Sequence, residues 1–396
     1  MKKLILILFF TSICNAQILK EKEIPLQRNS EKYFSKIENV FTNKGKLIES
    51  YITSERYNKV DYSLDRFYTL KREDGVKYEL KKNEYPIEII NNKLYTYTEN
   101  VGKGEREFIT YDLNKKELKK DPKTLKLSLS SSAEVLENGD LIISEGGHNG
   151  SDWIGLFSSN FEPLHEFKPF NDLSHISYDV NENFIAYVAQ IDVDSRIRIA
   201  LYGSFANKGF IGSKEIKIDQ DLILSSVKVV KDKVVVLFSN IKNSNSQLLI
   251  LDKEFNLIKK ISLNERVAYH KIISNNESFY INTSSKISSY EIEKGEKEWE
   301  FKKEKKASQK TAKGYRFTAT DVYILDKDNL LLVDAIYEDG VDDINDVVLK
   351  VFNKGKKEIV QKIKTNTAFK GNLLIKNLKE EVVVFSNKKM LRYEKL

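Results

Sequence analysis

The chain has 396 residues but only 1 Cys, 5 Pro, 2 Trp, 2 Met and 4 His. A single cysteine excludes a disulfide framework and any multi-thiolate metal centre. So little proline excludes collagen-like and polyproline structure. The histidines at 148, 165, 175 and 270 have neither HxH nor HExxH spacing, so the sequence gives no support for a zinc site. No GxSxG elbow, Walker loop or GxGxxG is present, which removes sequence support for hydrolase, nucleotide and dinucleotide chemistry. Beyond the first residues, no apolar run approaches the roughly 20 residues that span a bilayer. The formal charge of +7 is mild and evenly mixed, which argues against a nucleic-acid partner. What remains, 41% apolar and 11% aromatic, is the composition of a globular protein with a large core.

Residues 1–16 have the form of a secretory signal peptide: Lys2 and Lys3, an apolar run from Leu4 to Phe10, then small and polar residues up to Ala16. Cleavage after Ala16 would remove Cys14 and both lysines, lowering the charge from +7 to +5 and leaving a cysteine-free chain. Lipidation of Cys14 is disfavoured because Ile13 precedes it where a small residue is required. The expected location is therefore periplasmic or secreted, in the manner of exported proteins of the bacterial envelope.

From Tyr33 onward no stretch sustains an apolar period of 3.6, and short Val/Ile/Leu/Tyr/Phe runs alternate with Asn, Asp, Gly and Lys clusters. One hairpin recurs, a short strand, a polar turn and a strongly apolar strand. Its turns centre on Lys44, Asn91, Asn138, Glu182, Asp232, Asn276, Lys327 and Leu378. The steps between them run from 44 to 51 residues, close to the period of four-stranded propeller blades. A second hairpin follows in most units, at 66, 108, 154, 248, 287 and 347, with Lys and Glu crowding its last strand as suits a solvent-facing edge. Sheets apolar on both faces must stack on neighbours, so the pattern implies an all-β fold, a β-propeller of eight four-stranded blades over residues 17–396. The final unit stops one strand short at Leu396, and the stretch from Ile18 to Leu26 supplies an unpaired strand to close the ring. A seven-bladed ring, with residues 18–86 outside it, is the alternative.

The segment Tyr290-Glu291-Ile292-Glu293-Lys294-Gly295-Glu296-Lys297-Glu298-Trp299 resembles the repeat of quinoprotein-type propellers, in which a glycine turn leads a strand into a Trp. Weaker echoes lie at Asn353-Lys354-Gly355-Lys356 and Asp74-Gly75. The resemblance implies a glycine with positive φ and a Trp docked on the next blade. Its dehydrogenase branch needs several Trp, a Cys pair and a calcium site, which two Trp and no mature Cys do not supply. Its other branch comprises periplasmic scaffold propellers.

In a propeller, the loops from second to third strands and from blade to blade converge at one end of the channel. The stretch from Ser144 to Trp153 concentrates glycines with His148, Asn149, Asp152 and Trp153, and is the most site-like loop; Asp192 and Asp194 are weaker candidates. The acidic stretch 337–346 gathers Asp339, Asp342, Asp343, Asn345 and Asp346, hard oxygen donors of the kind that bind Ca2+. Its spacing departs from the EF-hand loop, and a solvated acidic loop competes with that reading. The basic stretch 302–316 reads as a solvated insertion between blades six and seven. No cofactor is required.

The favoured function is an exported, noncatalytic scaffold that binds a protein or glycan partner through loops at the channel mouth. The alternative is an enzyme, either a quinoprotein-like oxidoreductase or a carboxylate-dependent glycan-active protein. Two facing carboxylates at the mouth, or a carboxylate beside a Tyr or His with Arg nearby, would favour the enzyme. The leader makes one immediate prediction: N-terminal sequencing of the exported protein begins at Gln17. A mature chain that begins at Met1, or carries lipid on Cys14, would refute it.

Overall fold

The computed structural model describes residues 18–22, 36–44, 46–57, 64–114, 118–120, 124–145, 153–167, 173–181, 183–191, 195–203, 209–240, 242–303, 309–311, 314–338, 343–344, 346–365, 369–370, 373–386 and 389–396. Among these, the structure is a ring of eight antiparallel sheets, with one 3-10 turn at Val101–Lys103. We number the blades in chain order, as 36–79, 84–128, 131–167, 173–217, 222–263, 267–302, 309–364 and 374–395, and letter their strands A to D outward from the channel. First strands of neighbouring blades touch one another from blade 1 to blade 3 and from blade 4 to blade 7, which places strand A innermost. The eight-blade expectation holds and the seven-blade alternative falls: residues 36–79 form a complete blade with strands at Lys36–Asn43, Lys46–Tyr57, Leu64–Arg72 and Lys77–Glu79. Among the described residues, no helix is long and apolar enough to cross a membrane.

Side chains on a strand alternate between its two faces, so in a blade they alternate between two neighbours. In blade 5, Val234, Val236 and Phe238 pack toward blade 4, while Val235 and Leu237 pack toward blade 6. The same division recurs round the ring, and each of the eight junctions between successive blades holds its own apolar cluster. Strand D meets water on its outer side, and in blade 5 the strand Leu257–Leu263 alternates exposed lysines with half-buried isoleucines.

The ring closes as expected from the sequence. Leu19–Lys22 pairs antiparallel with Lys389–Lys395 and becomes strand D of blade 8. Leu19 is fully buried, and Gln361 of blade 7 clamps the strand from the side. The Gln361 carboxamide oxygen accepts from the Ile18 and Leu19 amides at 3.0 and 2.9 Å, and its nitrogen donates to the Leu19 carbonyl at 2.7 Å. On the other side of blade 8, buried Arg392 binds Glu381 through Nε at 2.6 Å and Nη2 at 2.7 Å, and also reaches Glu73 of blade 1.

Several details differ from the sequence reading. The outer hairpin of blade 4, Arg196–Gly203 with Phe210–Lys217, was not among the expected hairpins. In blade 2 the outer strand is Leu125–Ser128, with Lys119–Lys120 reduced to a two-residue pairing, so the hairpin expected at 108 closes later than its lysines suggest. Part of the basic insertion is structured: Gln309–Thr311 pairs with the first residues of Gly314–Ile324 and widens blade 7. Asp343–Ile344 pairs with Phe369–Lys370, linking the acidic stretch to the approach to blade 8.

The glycine and Trp of the repeat at 290–299 behave as that pattern requires. Gly295 has φ +66, and a Cβ there would lie 2.6 Å from Ile250 Cδ1 and 2.8 Å from Lys259 Cβ of blade 5. Trp299 lies 5.0 Å from Phe352 of blade 7, so the two residues lock blade 6 to both neighbours. Gly295→Ala combines left-handed strain with that clash and should lower unfolding stability by about 2–4 kcal/mol in urea titrations; a loss within about 0.5 kcal/mol would contradict this packing. Gln361→Leu leaves the closing strand's amides unsatisfied and should cost about 1–3 kcal/mol in the same assay; an unchanged midpoint would mean that the clamp does not hold the ring.

Candidate functional site

The inner strands surround the channel with charged and phenolic side chains held by partners on neighbouring blades. The Tyr178 hydroxyl of blade 4 donates to Glu134 of blade 3 at 3.1 Å. Asp179 of blade 4 accepts from Lys228 at 2.8 Å and from the Val229 amide at 2.7 Å, both of blade 5. Burial still raises its carboxyl above the ordinary range, the opposed pull of Lys228 notwithstanding. Lys271 of blade 6 lies 5.7 Å from the Tyr323 ring of blade 7, whose hydroxyl donates to Asp321 at 2.6 Å. Glu88 of blade 2 has its carboxyl raised by burial and is influenced by Lys376 of blade 8.

At the end where B–C loops and interblade connections gather, two constellations stand out. Between blades 6 and 7, Lys350 binds Asp334 at 2.7 Å with both side chains buried, and Thr320 donates to the same carboxylate at 2.8 Å. Lys303 donates to the Thr283 carbonyl at 2.5 Å. Burial pushes its ammonium down to about 8, against the attraction of Asp334, Glu265 and Asp321. Burial would raise Glu265, but hydrogen bonds from Ser285 and Ser284 bring it to about 2.

Between blades 1 and 2 lies a polar cleft of about 620 Å3, within the roughly 300–1,000 Å3 of small-ligand sites. Its walls come from the start of strand C in blade 1, the crossing into blade 2, and the B–C turn of blade 2. Asp65 binds Lys82 at 2.8 Å and accepts from Asn83 at 3.1 Å, while the Arg66 amide donates to Asn83 at 2.7 Å, fixing the crossing. Behind it, Tyr85 stacks on Tyr97 at 4.9 Å, and Arg106 caps Tyr97 at 4.3 Å while binding Glu99 at 2.5 Å. Tyr68 is bonded to Glu38, and burial together with that bond pushes its hydroxyl far above the ordinary value. Burial also raises Tyr85, which keeps its hydroxyl protonated and able to donate.

The described backbone locates three of the sequence candidates. Trp153 opens the strand Trp153–Phe157 and pairs in register with Glu145 on blade 3, but His148, Asn149 and Asp152 lie outside the described residues, as do Asp192 and Asp194. Asp343 sits in the short strand Asp343–Ile344 and Asp346 begins the strand Asp346–Asn353, whereas Asp339, Asp342 and Asn345 lie outside the described residues. The cleft residues went unnoticed because they come from separate segments of two blades. The nearest local signal is the glycine pair at Gly102 and Gly104, where Gly104 has φ +67 in the B–C turn.

No protein-family model matches the chain, and no curated protein matches it in sequence. Among solved structures, the Dos1 propeller superposes with a TM-score of 0.51 at 12% identity, over 92% of this chain and 93% of that one. A eukaryotic initiation factor gives 0.50 at 11%, over 85% and 79%. Hsv2 of Kluyveromyces lactis gives 0.48 at 13%, over 83% and 99%. At such identities the likeness concerns architecture alone: this chain shares the β-propeller fold.

Proposed function

We propose that the chain is an exported, noncatalytic scaffold that holds a protein or glycan partner at the end of the ring where B–C loops and interblade connections meet. The observation that carries this reading is where solvent-facing polar groups without a protein partner gather. Inner-strand carboxylates already have phenols or bases as partners, as in Glu134 with Tyr178 and Asp179 with Lys228. The blade 1–2 cleft instead presents the Arg66 Nη atoms, the Tyr85 hydroxyl and the Thr98 hydroxyl without hydrogen-bond partners among the described residues. Rigid scaffolds carrying binding groups on loops are a general solution to recognition.

Export rests on the leader. Its removal after Ala16 is compatible with the ring, since the closing strand begins at Leu19. The quinoprotein-type resemblance rests on Gly295 and Trp299 of blade 6, and what supports it is how these two residues pack on the neighbouring blades.

One observation favours the enzymatic reading: Glu38, Tyr68 and Arg66 place a carboxylate beside a tyrosine with an arginine nearby. Tyr68 is only 2% exposed, however, so its phenol is closed to substrate and its ring packs on Tyr85 of blade 2.

Photo-crosslinkers separate the binding face from the rest of the surface. Val101, 57% exposed in the B–C turn of blade 2, should yield specific adducts in envelope extracts, whereas Leu257, 56% exposed on the outer rim of blade 5, should not. Adducts from Leu257 with none from Val101 would overturn this assignment.

A further inference from the structure

Building on that reading of the loop face, we infer that the cleft between blades 1 and 2 is a subsite for a neutral oligosaccharide. The first argument is charge. The cleft is lined by four carboxylates, of Asp65, Glu99, Glu105 and Glu107, and by four bases, so it carries no net charge with which to favour a phosphorylated, acidic or polybasic ligand.

The second argument is hydrogen bonding. A sugar hydroxyl both donates and accepts, and its site must interleave the two capacities. Among the described residues, the cleft offers Arg66 Nη1 and Nη2 and Asn100 Nδ2 as donors without partners. Glu99 Oε2 is an open acceptor, and the hydroxyls of Tyr85 and Thr98 serve either way. Unpaired polar groups so close together favour a polyhydroxylated ligand over an apolar one, whose binding would leave them desolvated and unsatisfied.

The third argument is preorganisation. Tyr85 is held by its stack on Tyr97, Tyr97 by Arg106, and Asn83 by both Asp65 and the Arg66 amide, so these groups are positioned before a ligand arrives. An extended peptide would be expected to add to an open strand edge. Of the strands that border the cleft, Lys93–Asn100 and Glu105–Asp112 are paired on both sides, and at Arg66 the open side of Leu64–Arg72 is taken by Asn83, whose carboxamide accepts from the Arg66 amide and whose own amide donates to the Arg66 carbonyl. Side chains are what this site presents, and side chains are what read sugar hydroxyls.

The test uses the full mature protein on a printed array of neutral oligosaccharides of glucose, mannose, galactose, xylose and N-acetylglucosamine, with hexagalacturonate as an anionic control. Hits are then titrated by calorimetry. At least one neutral oligosaccharide should bind, and Tyr85→Phe, which keeps the stacked ring and removes only the hydroxyl, should weaken it about 3- to 10-fold. Arg66→Ala should weaken it by at least as much. Lys260→Ala, on the outer rim of blade 5, should leave the affinity unchanged. The inference is overturned if no neutral oligosaccharide binds, if hexagalacturonate binds more tightly, or if affinity is the same in Tyr85→Phe and Arg66→Ala. Adducts from a crosslinker at Val101 in the absence of any saccharide binding would leave the loop-face reading standing and refute this one alone.

Discussion

Every feature of this protein depends on the fact that its sheets are apolar on both faces. A strand such as Lys233–Asn240, with Val234 to Phe238 fully buried, cannot be half of a sheet exposed to water. Each blade therefore needs two neighbours, and the arrangement that gives every blade two neighbours is a ring. Closure follows from the same constraint. Without Leu19 on blade 8, the apolar cluster between blades 7 and 8 would lose a fully buried side chain, and the outer edge of the last blade would stand unpaired. The Gln361 clamp and the Arg392 pairing with Glu381 and Glu73 sit on either side of blade 8, the blade that joins the two ends of the chain.

The same geometry separates stability from recognition. Apolar clusters occupy the eight junctions, and polar side chains stitch the ring where those junctions meet backbone: Gln190 donates to the Leu222 carbonyl at 2.6 Å, and the Tyr95 hydroxyl to that of Gly139 at 3.0 Å. These bonds satisfy backbone groups that would otherwise be buried unpaired, and they hold neighbouring blades in register. The described turn Val101–Gly104 at the B–C end is thereby carried on a frame that does not draw on it for its core. Among the described residues of that end, the cleft beside Tyr85 is lined by polar and charged side chains.

Much of the architecture is legible in the residues because it is written in local patterns. The inner hairpins coincide with strands in all eight blades, since a polar turn between a short strand and an apolar one is a nearest-neighbour signal. Asn91 and Asn92 both take positive φ at such a turn, as tight hairpins demand. The outer hairpin of blade 4 was harder to read: its strands carry Arg196, Arg198, Lys214 and Glu215 among the apolar residues, and it is shaped by packing on blade 5 as much as by its own pattern. The outer strand of blade 2 was misplaced because the lysines at 119 and 120 look like an edge, yet the longer pairing with Glu105–Asp112 belongs to Leu125–Ser128.

The sequence by itself determined the strand content, the period and the need for closure, because alternation and turn chemistry act over a few residues and repeat every blade. It also supplied the glycine at 295 and the Trp at 299, whose roles follow from conformation and bulk. Only the tertiary structure decided which side chains share a site. The cleft joins Arg66 of one blade to Tyr85, Thr98 and Glu99 of the next, residues as many as 33 positions apart with no motif between them. Their meeting is set by how two twisted sheets stack, a relation between blades that no single stretch of chain encodes.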